Sequence, residues 1–381
     1  MTVSGTATQA NATCRQLVAD GARIVPIGFD LPTRAGLDSD APQARGLVGR
    51  CGVPVDSIDD MRVLFNGLPL DRVRPTLAAD AAAAPLLVLC RLVAEEHGTP
   101  PRRLAGAVRN DAFRSFLTGG LGGLQLRPLL RLAMDVLAYG VAELPRWQCL
   151  SVCGHQLAGP GADPALEVAF AVACGMEYLH AAAAGPGLDA SVVVPRLTLC
   201  LAKGATGPET RAKLRAVRRV WTRTANERFA ANVDVPRLYV QEPRGGTATP
   251  PDRRRPRTAG LETEALALLE RLERLGGALA VVERGLGGTQ LGRRFENRPP
   301  PRPHLGSAVL RARQTEQLAK LRAWRVEAAV DEALVRLGKA AQSDDNVLHP
   351  MKEALAARAT VGEVSAVLRT AWGPHPQATL H

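Results

Sequence analysis

The residues best placed to do chemistry begin with Cys149, Ser151, Cys153 and His155, which alternate along one extended run. In a regular strand all four side chains share a face. Two cysteines and a histidine could hold zinc, but no fourth ligand stands at a matching spacing, and a Cys153–His155 nucleophilic pair is a second chemical reading. Small side chains packed into a core explain the pattern better, so no metal site is assigned. A second group, Asp30, Thr33, Asp38, Ser39 and Asp40, lies just past the apolar run Ile24–Phe29. These groups either face a ligand or cap the turn, with Gly36 giving the backbone its freedom; capping is the favoured role. The glycine-rich stretch from Gly119 to Gly123 lacks the Lys-Ser/Thr of a phosphate loop and reads as a connecting loop. Arg253, Arg254, Arg255 and Arg257 could touch phosphate, but a solvated linker accounts for them better.

These residues need a scaffold, and strand-like runs alternate with amphipathic helical segments from Arg23 to Tyr239. The spacing predicts strands over Ile24–Phe29, Val73–Leu77, Leu104–Val108, Cys149–Cys153, Arg196–Cys200 and Arg237–Val240. Helices are predicted between them, the longest over Leu129–Ala142, Pro164–Ala184 and Pro208–Phe229. Such alternation implies a parallel sheet with right-handed crossovers. Six strands fall short of the eight that close a (β/α)8 barrel. The expected fold is therefore α/β, a TIM-type barrel over residues 23–240 that is incomplete, after an extension over 1–22. A Pro/Gly/Arg linker follows over 241–260, then a helical C-terminal region over 261–381 in which Leu310–Gly338 reads as one long helix.

Composition narrows the function classes. The net charge of +11 comes almost wholly from arginine, with five lysines among 48 basic residues. A phosphate-bearing small molecule fits that charge at least as well as nucleic acid, for which no recognition module is present. Aromatics at 4% argue against a base-stacking groove. Seven irregularly spaced cysteines do not form a disulfide framework, and no signal peptide or membrane-spanning run is visible. A cytoplasmic protein is expected.

The stretch from Phe29 through Asp-Leu-Pro-Thr-Arg-Ala-Gly-Leu-Asp-Ser to Asp40 resembles the first barrel strand and loop of the methylmalonyl-CoA mutase family. Register continues through Gly46, Gly49, Asp56, Met61, Gly67, Glu95-Glu96, Asn110-Asp111, Ser151, Gly154, Gly175, Glu177, Pro195-Arg196 and the segment Ala357–Val364. The resemblance implies a barrel that binds an acyl-CoA thioester along its axis and uses adenosylcobalamin for radical chemistry. It also marks departures. The family's active-site His falls on Gln156, with His155 in the preceding position. Its Gln before Asn-Asp falls on Arg109, and its substrate-carboxylate Arg falls on Gly119. Two family strands, with a second active-site His, have no counterpart between Tyr239 and Leu261. No Asp-x-His-x-x-Gly motif supplies a lower cobalamin ligand, and neither a cobalamin domain after Pro374 nor a threading N-terminal arm is expected.

The resemblance nominates His155, Gln156 and Arg109 for catalysis. For substrate binding it nominates Arg196, which matches a CoA-contacting position, with Thr198, Phe29, Thr33, Arg34, Asn110 and Asp111. No cofactor is expected on this chain alone; adenosylcobalamin would need a separate cobalamin-binding subunit. Two functions stay open: an acyl-CoA or carrier-thioester isomerase subunit with divergent chemistry, or a catalytically inactive subunit that stabilises a mutase partner. Either way an oligomer is expected, because missing strands leave open sheet edges.

Overall fold

A computed structural model describes residues 3, 5–117, 123–154, 163–204, 206–229, 233–242, 258–284 and 307–373. Along the chain come α1 (Ala7–Ala19), β1 (Ile24–Gly28), α2 (Leu31–Arg34), α3 (Ile58–Phe65), β2 (Arg74–Ala78), α4 (Ala83–Glu96) and β3 (Ala105–Val108). Next are α5 (Ala112–Leu117), α6 (Leu126–Glu143), β4 (Arg146–Gln148), β5 (Leu150–Val152), α7 (Pro164–Ala184), β6 (Leu197–Ala202), α8 (Gly207–Arg228) and β7 (Arg237–Gln241). The series ends with α9 (Thr258–Arg274), α10 (Gly277–Glu283), α11 (Ser307–Trp324), α12 (Glu327–Gln342), α13 (Leu348–Ala356) and α14 (Val361–Trp372). The chain divides into two compact units, residues 1–149 with 300–381, and residues 150–299.

In the first unit β1, β2, β3 and β4 form one parallel sheet in that order. Side chains alternate across a strand, and burial follows that period. Val25, Ile27, Leu77, Val108 and Trp147 are buried on one face, where α4 packs on β2 and α3 packs on α4. On the other face Pro26, Thr76, Ala107 and Gln148 form one register row, all partly exposed. Gly106 lets Trp147 lie flat against β3, since a Cβ there would sit 2.6 Å from the indole ring and from the Pro75 carbonyl. The C-terminal helices α13 and α14 pack on α4, and α12 packs on both.

The second unit holds the parallel sheet β5-β6-β7. Leu197, Leu199 and Leu201 are buried on one side of β6, while Thr198, Cys200 and Ala202 are half-buried on the other. Helix α7 is long and apolar enough to cross a membrane, but 78% of its apolar window is buried against the rest of this unit, as in a core helix. It contacts α8, α9 and α10.

The parallel α/β architecture agrees with the strand–helix alternation, and among the described residues neither sheet closes on itself. Two elements differ from expectation. The predicted Cys149–Cys153 strand is shorter, and a strand just before it, β4, pairs with β3 in the first sheet while β5 pairs with β6 in the second. The long helix predicted over Leu310–Gly338 is broken at Arg325-Val326. Arg325, with a side chain only 4% exposed, turns there to bind Glu363 and Glu327.

Candidate functional site

The loop after β1 is fixed by its own polar side chains. Asp30 caps α2: its Oδ1 accepts from the Thr33 N–H at 3.0 Å, its Oδ2 from the Gly49 N–H at 2.6 Å, and Pro32 takes the first turn. Burial pushes the Asp30 carboxyl up to about 6. Thr33 Oγ1 accepts from the Val55 N–H at 3.0 Å and donates to the Val55 carbonyl. Phe29 is 1% exposed and forms a parallel bridge with Val53. Asp38 accepts from Thr360 Oγ1 at 2.6 Å and from the Gly362 N–H at 2.7 Å, and Arg322 pairs with both Asp38 and Asp40. The loop thus ties β1 to the C-terminal helices through Asp38 and Asp40, rather than these two carboxylates serving only their own turn.

Beyond β2 and β3 lies a charged cluster. Asp80, at φ 53° in the left-handed region, is 7% exposed. Its carboxylate pairs with Arg34 at 2.6 Å, with Arg114, and with Arg109 Nε at 3.6 Å. Burial alone would raise its pKa, but the Arg114, Arg34 and Arg109 guanidiniums hold it well below the usual carboxylate range. Arg109 Nε is buried with no hydrogen-bond partner among the described residues. Asn110 Nδ2 donates to the Cys149 carbonyl at 3.2 Å, and Asp111 Oδ1 accepts from the Arg114 N–H at 3.0 Å. The structure therefore gathers Phe29, Thr33, Arg34, Arg109, Asn110 and Asp111 at the C-terminal ends of β1–β3, where parallel α/β folds carry their sites.

In the second unit, Arg196 closes the turn before β6 and donates from Nη1 to the Val192 carbonyl at 3.0 Å. Thr198 shares a register row with Ser151. Arg196 Nε and Ser151 Oγ are buried without hydrogen-bond partners among the described residues. His155, Gln156 and Gly119 lie outside the described residues. Among the described residues no group of three or more His, Cys, Asp or Glu could hold a metal.

Sequence reasoning passed over Asp80, Arg114, Thr76 and Gln148. Asp80 follows its strand by two residues, so the strand-end rule that nominated Asp30 reaches it too. Gln148 Oε1, also buried and without a hydrogen-bond partner among the described residues, lay hidden because β4 was not anticipated.

The family model described as methylmalonyl-CoA mutase matches residues 1–242 and 293–374. The chain belongs to the methylmalonyl-CoA mutase family. It is 38% identical to the methylmalonyl-CoA mutase large subunit of Streptomyces virginiae over 222 residues, 58% of this chain and 30% of that one. It is 34% identical to the methylmalonyl-CoA mutase of Escherichia coli over 217 residues, 57% of this chain and 30% of that one. The match to the Cereibacter sphaeroides methylmalonyl-CoA mutase, at 28% identity, spans 97% of this chain and 65% of the relative. That match extends over 461 residues, so the mutase of C. sphaeroides carries segments within it that this 381-residue chain lacks.

Mutases of this family use adenosylcobalamin. Among the described histidines, His349 meets Tyr139 edge-on, His180 packs against Phe229, and His97 ends α4.

Proposed function

We propose that this mutase-family chain is the acyl-thioester-binding part of a larger assembly, built on a divergent (β/α)8-type scaffold. The observation that carries this is the face of β5 and β6 on which Ser151 is buried and Thr198 and Cys200 are half-buried. Ser151, Thr198 and Cys200 leave it lined with small polar groups, and Arg196 Nε and Ser151 Oγ have no hydrogen-bond partner among the described residues. A buried donor without an acceptor costs free energy that a ligand can recover. Arg196 is suited to a CoA phosphate or the thioester's polar neighbourhood through its planar fork of donors. Adenosylcobalamin, if used, would take its lower ligand from a separate subunit.

Arg196→Ala is expected to weaken binding of a CoA thioester by about 1.5–3 kcal/mol, the scale of a charged hydrogen bond. Isothermal titration, with circular dichroism to verify the fold, measures this. Unaltered affinity would show that Arg196 serves only its helix turn. A second reading, an inactive subunit that stabilises a mutase partner, draws on Gln156 and Gly119 where the family has His and Arg. Turnover of methylmalonyl-CoA with adenosylcobalamin and a cobalamin-binding small subunit would reject it.

A further inference from the structure

We infer that Arg109 and Arg34, held at the C-terminal ends of β1–β3, form a binding site for a small oxyanion, a carboxylate or a phosphate. Three guanidiniums converge on Asp80, whose two oxygens are already taken at hydrogen-bond distance. Arg34 Nε and Nη2 meet Oδ2 at 2.6 Å, and Arg114 Nη1 meets Oδ1. Arg109 stands off at 3.6 Å, and its Nε is buried without a hydrogen-bond partner among the described residues. The neighbouring carboxylates do not complete it: Asp30 accepts from the Thr33 and Gly49 backbone, and Asp111 from the Arg114 backbone.

Accessibility points the same way. The Arg109 and Arg34 side chains are 21% and 23% exposed, whereas Arg114 and Asp80 beneath them are 6% and 7% exposed. The inner pair acts as a base that fixes the outer two forks. Ala78 and Ala107, both small and partly exposed, flank Arg109 on the open face of the sheet, so a compact anion can approach. Guanidinium forks match the paired oxygens of carboxylate and phosphate. The family pattern has Gln where Arg109 stands, and its carboxylate-binding Arg falls on Gly119 in this chain, so this charge belongs to the present chain rather than to the inherited site. The inference does not depend on thioester binding, because its ligand need carry no CoA.

The test titrates the full chain with malonate and, separately, with inorganic phosphate at constant ionic strength set by chloride, reading affinity by calorimetry and protection by thermal shift. Saturable binding of at least one anion is expected, and the tighter of the two identifies the source. Arg109→Gln should weaken it about tenfold or more, while Arg72→Gln, at an 83% exposed side chain, should bind like the parent. If Arg109→Gln loses its circular dichroism signature, Arg109→Lys replaces it; a lysine keeps the charge but not the fork and should bind more weakly. The site is overturned if neither anion saturates, or if the folded Arg109 variant binds as tightly as the parent.

Discussion

Replacing Lys213 by methionine is expected to destabilise the second unit by about 3–5 kcal/mol, the range for breaking a buried ion pair from one side. Lys213 and Glu167 have side chains 5% and 1% exposed and meet at 2.7 Å. Together they clamp the last residue of β6: Lys213 Nζ donates to the Ala202 carbonyl at 3.0 Å, and Glu167 Oε1 accepts from the Ala202 N–H at 2.6 Å. Burial raises the Glu167 carboxyl above its ordinary range despite the ammonium beside it, so the lone carboxylate left by Lys213→Met would be poorly solvated. Adding Glu167→Gln should recover much of the loss, because an amide keeps the bond to the Ala202 N–H without a charge. Urea unfolding gives the energy, and hydrogen exchange over Leu197–Ala202 locates it. A loss below about 1 kcal/mol, typical of a surface pair, would mean that solvent reaches the clamp. So would a double variant no better than the single one.

That clamp illustrates which parts of the protein its sequence could disclose. Strands and helices of the α/β part were legible because burial is one-sided. Pro164–Ala184 is recovered at both ends because Asp163 and Pro164 mark its start and Gly185 its end. The register of β4 was not legible, since Arg146, Trp147 and Gln148 carry a period too short to stand out. Nor was the break between α11 and α12: no Gly or Pro marks it, and it depends on Glu363, 38 residues from Arg325. The candidate site divides in the same way. Asp30 and Thr33 could be placed from the loop's own pattern, whereas the Arg34–Asp80–Arg109–Arg114 cluster exists only once three parallel strands bring their ends together. Long-range charge pairing leaves no mark at fixed spacing, so a family resemblance could say that Arg109 was unusual but not what it faces.

The protein is expected to be more stable near pH 5 than near pH 8, opposite to the trend of a fold held by exposed ion pairs. Under α11, Asp56 and Asp60 both accept from the Gln314 side-chain amide, at 3.1 and 3.2 Å. Asp56 also accepts from the Ser39 N–H and hydroxyl, and Asp60 from the Asp56 and Ser57 N–H groups. Asp38 stands nearby, facing Arg322 from α11 and Thr360 and Glu363 at the start of α14, with Asp59 adding a further negative charge. Burial, reinforced by mutual repulsion, raises Asp56 well above its ordinary range and raises Asp60 too, while burial lifts Asp38 and, elsewhere, Asp135 to about 6. An acid whose native pKa lies above its unfolded value binds its proton more tightly in the folded chain. It therefore contributes stability that is complete below the unfolded pKa of about 4 and is lost as pH rises through the native value. For Asp38, a rise from 3.8 to about 6 corresponds to an order of 3 kcal/mol. Asp80, Glu95, Glu96 and Glu363 are lowered and act in the opposite sense, losing stability only as pH falls through their native values. The two sets together place the optimum between about pH 4 and 6. Melting temperatures across pH 4.5 to 8.5, roughly the window spanned by these shifts, would show it. Asp56→Asn should flatten the decline and be more stable than the parent at the alkaline end, since a neutral amide carries no desolvation cost there. A profile that rises from pH 5 to 8, or an Asp56→Asn curve parallel to the parent's, would mean that these carboxylates are ionised and solvated in the folded chain.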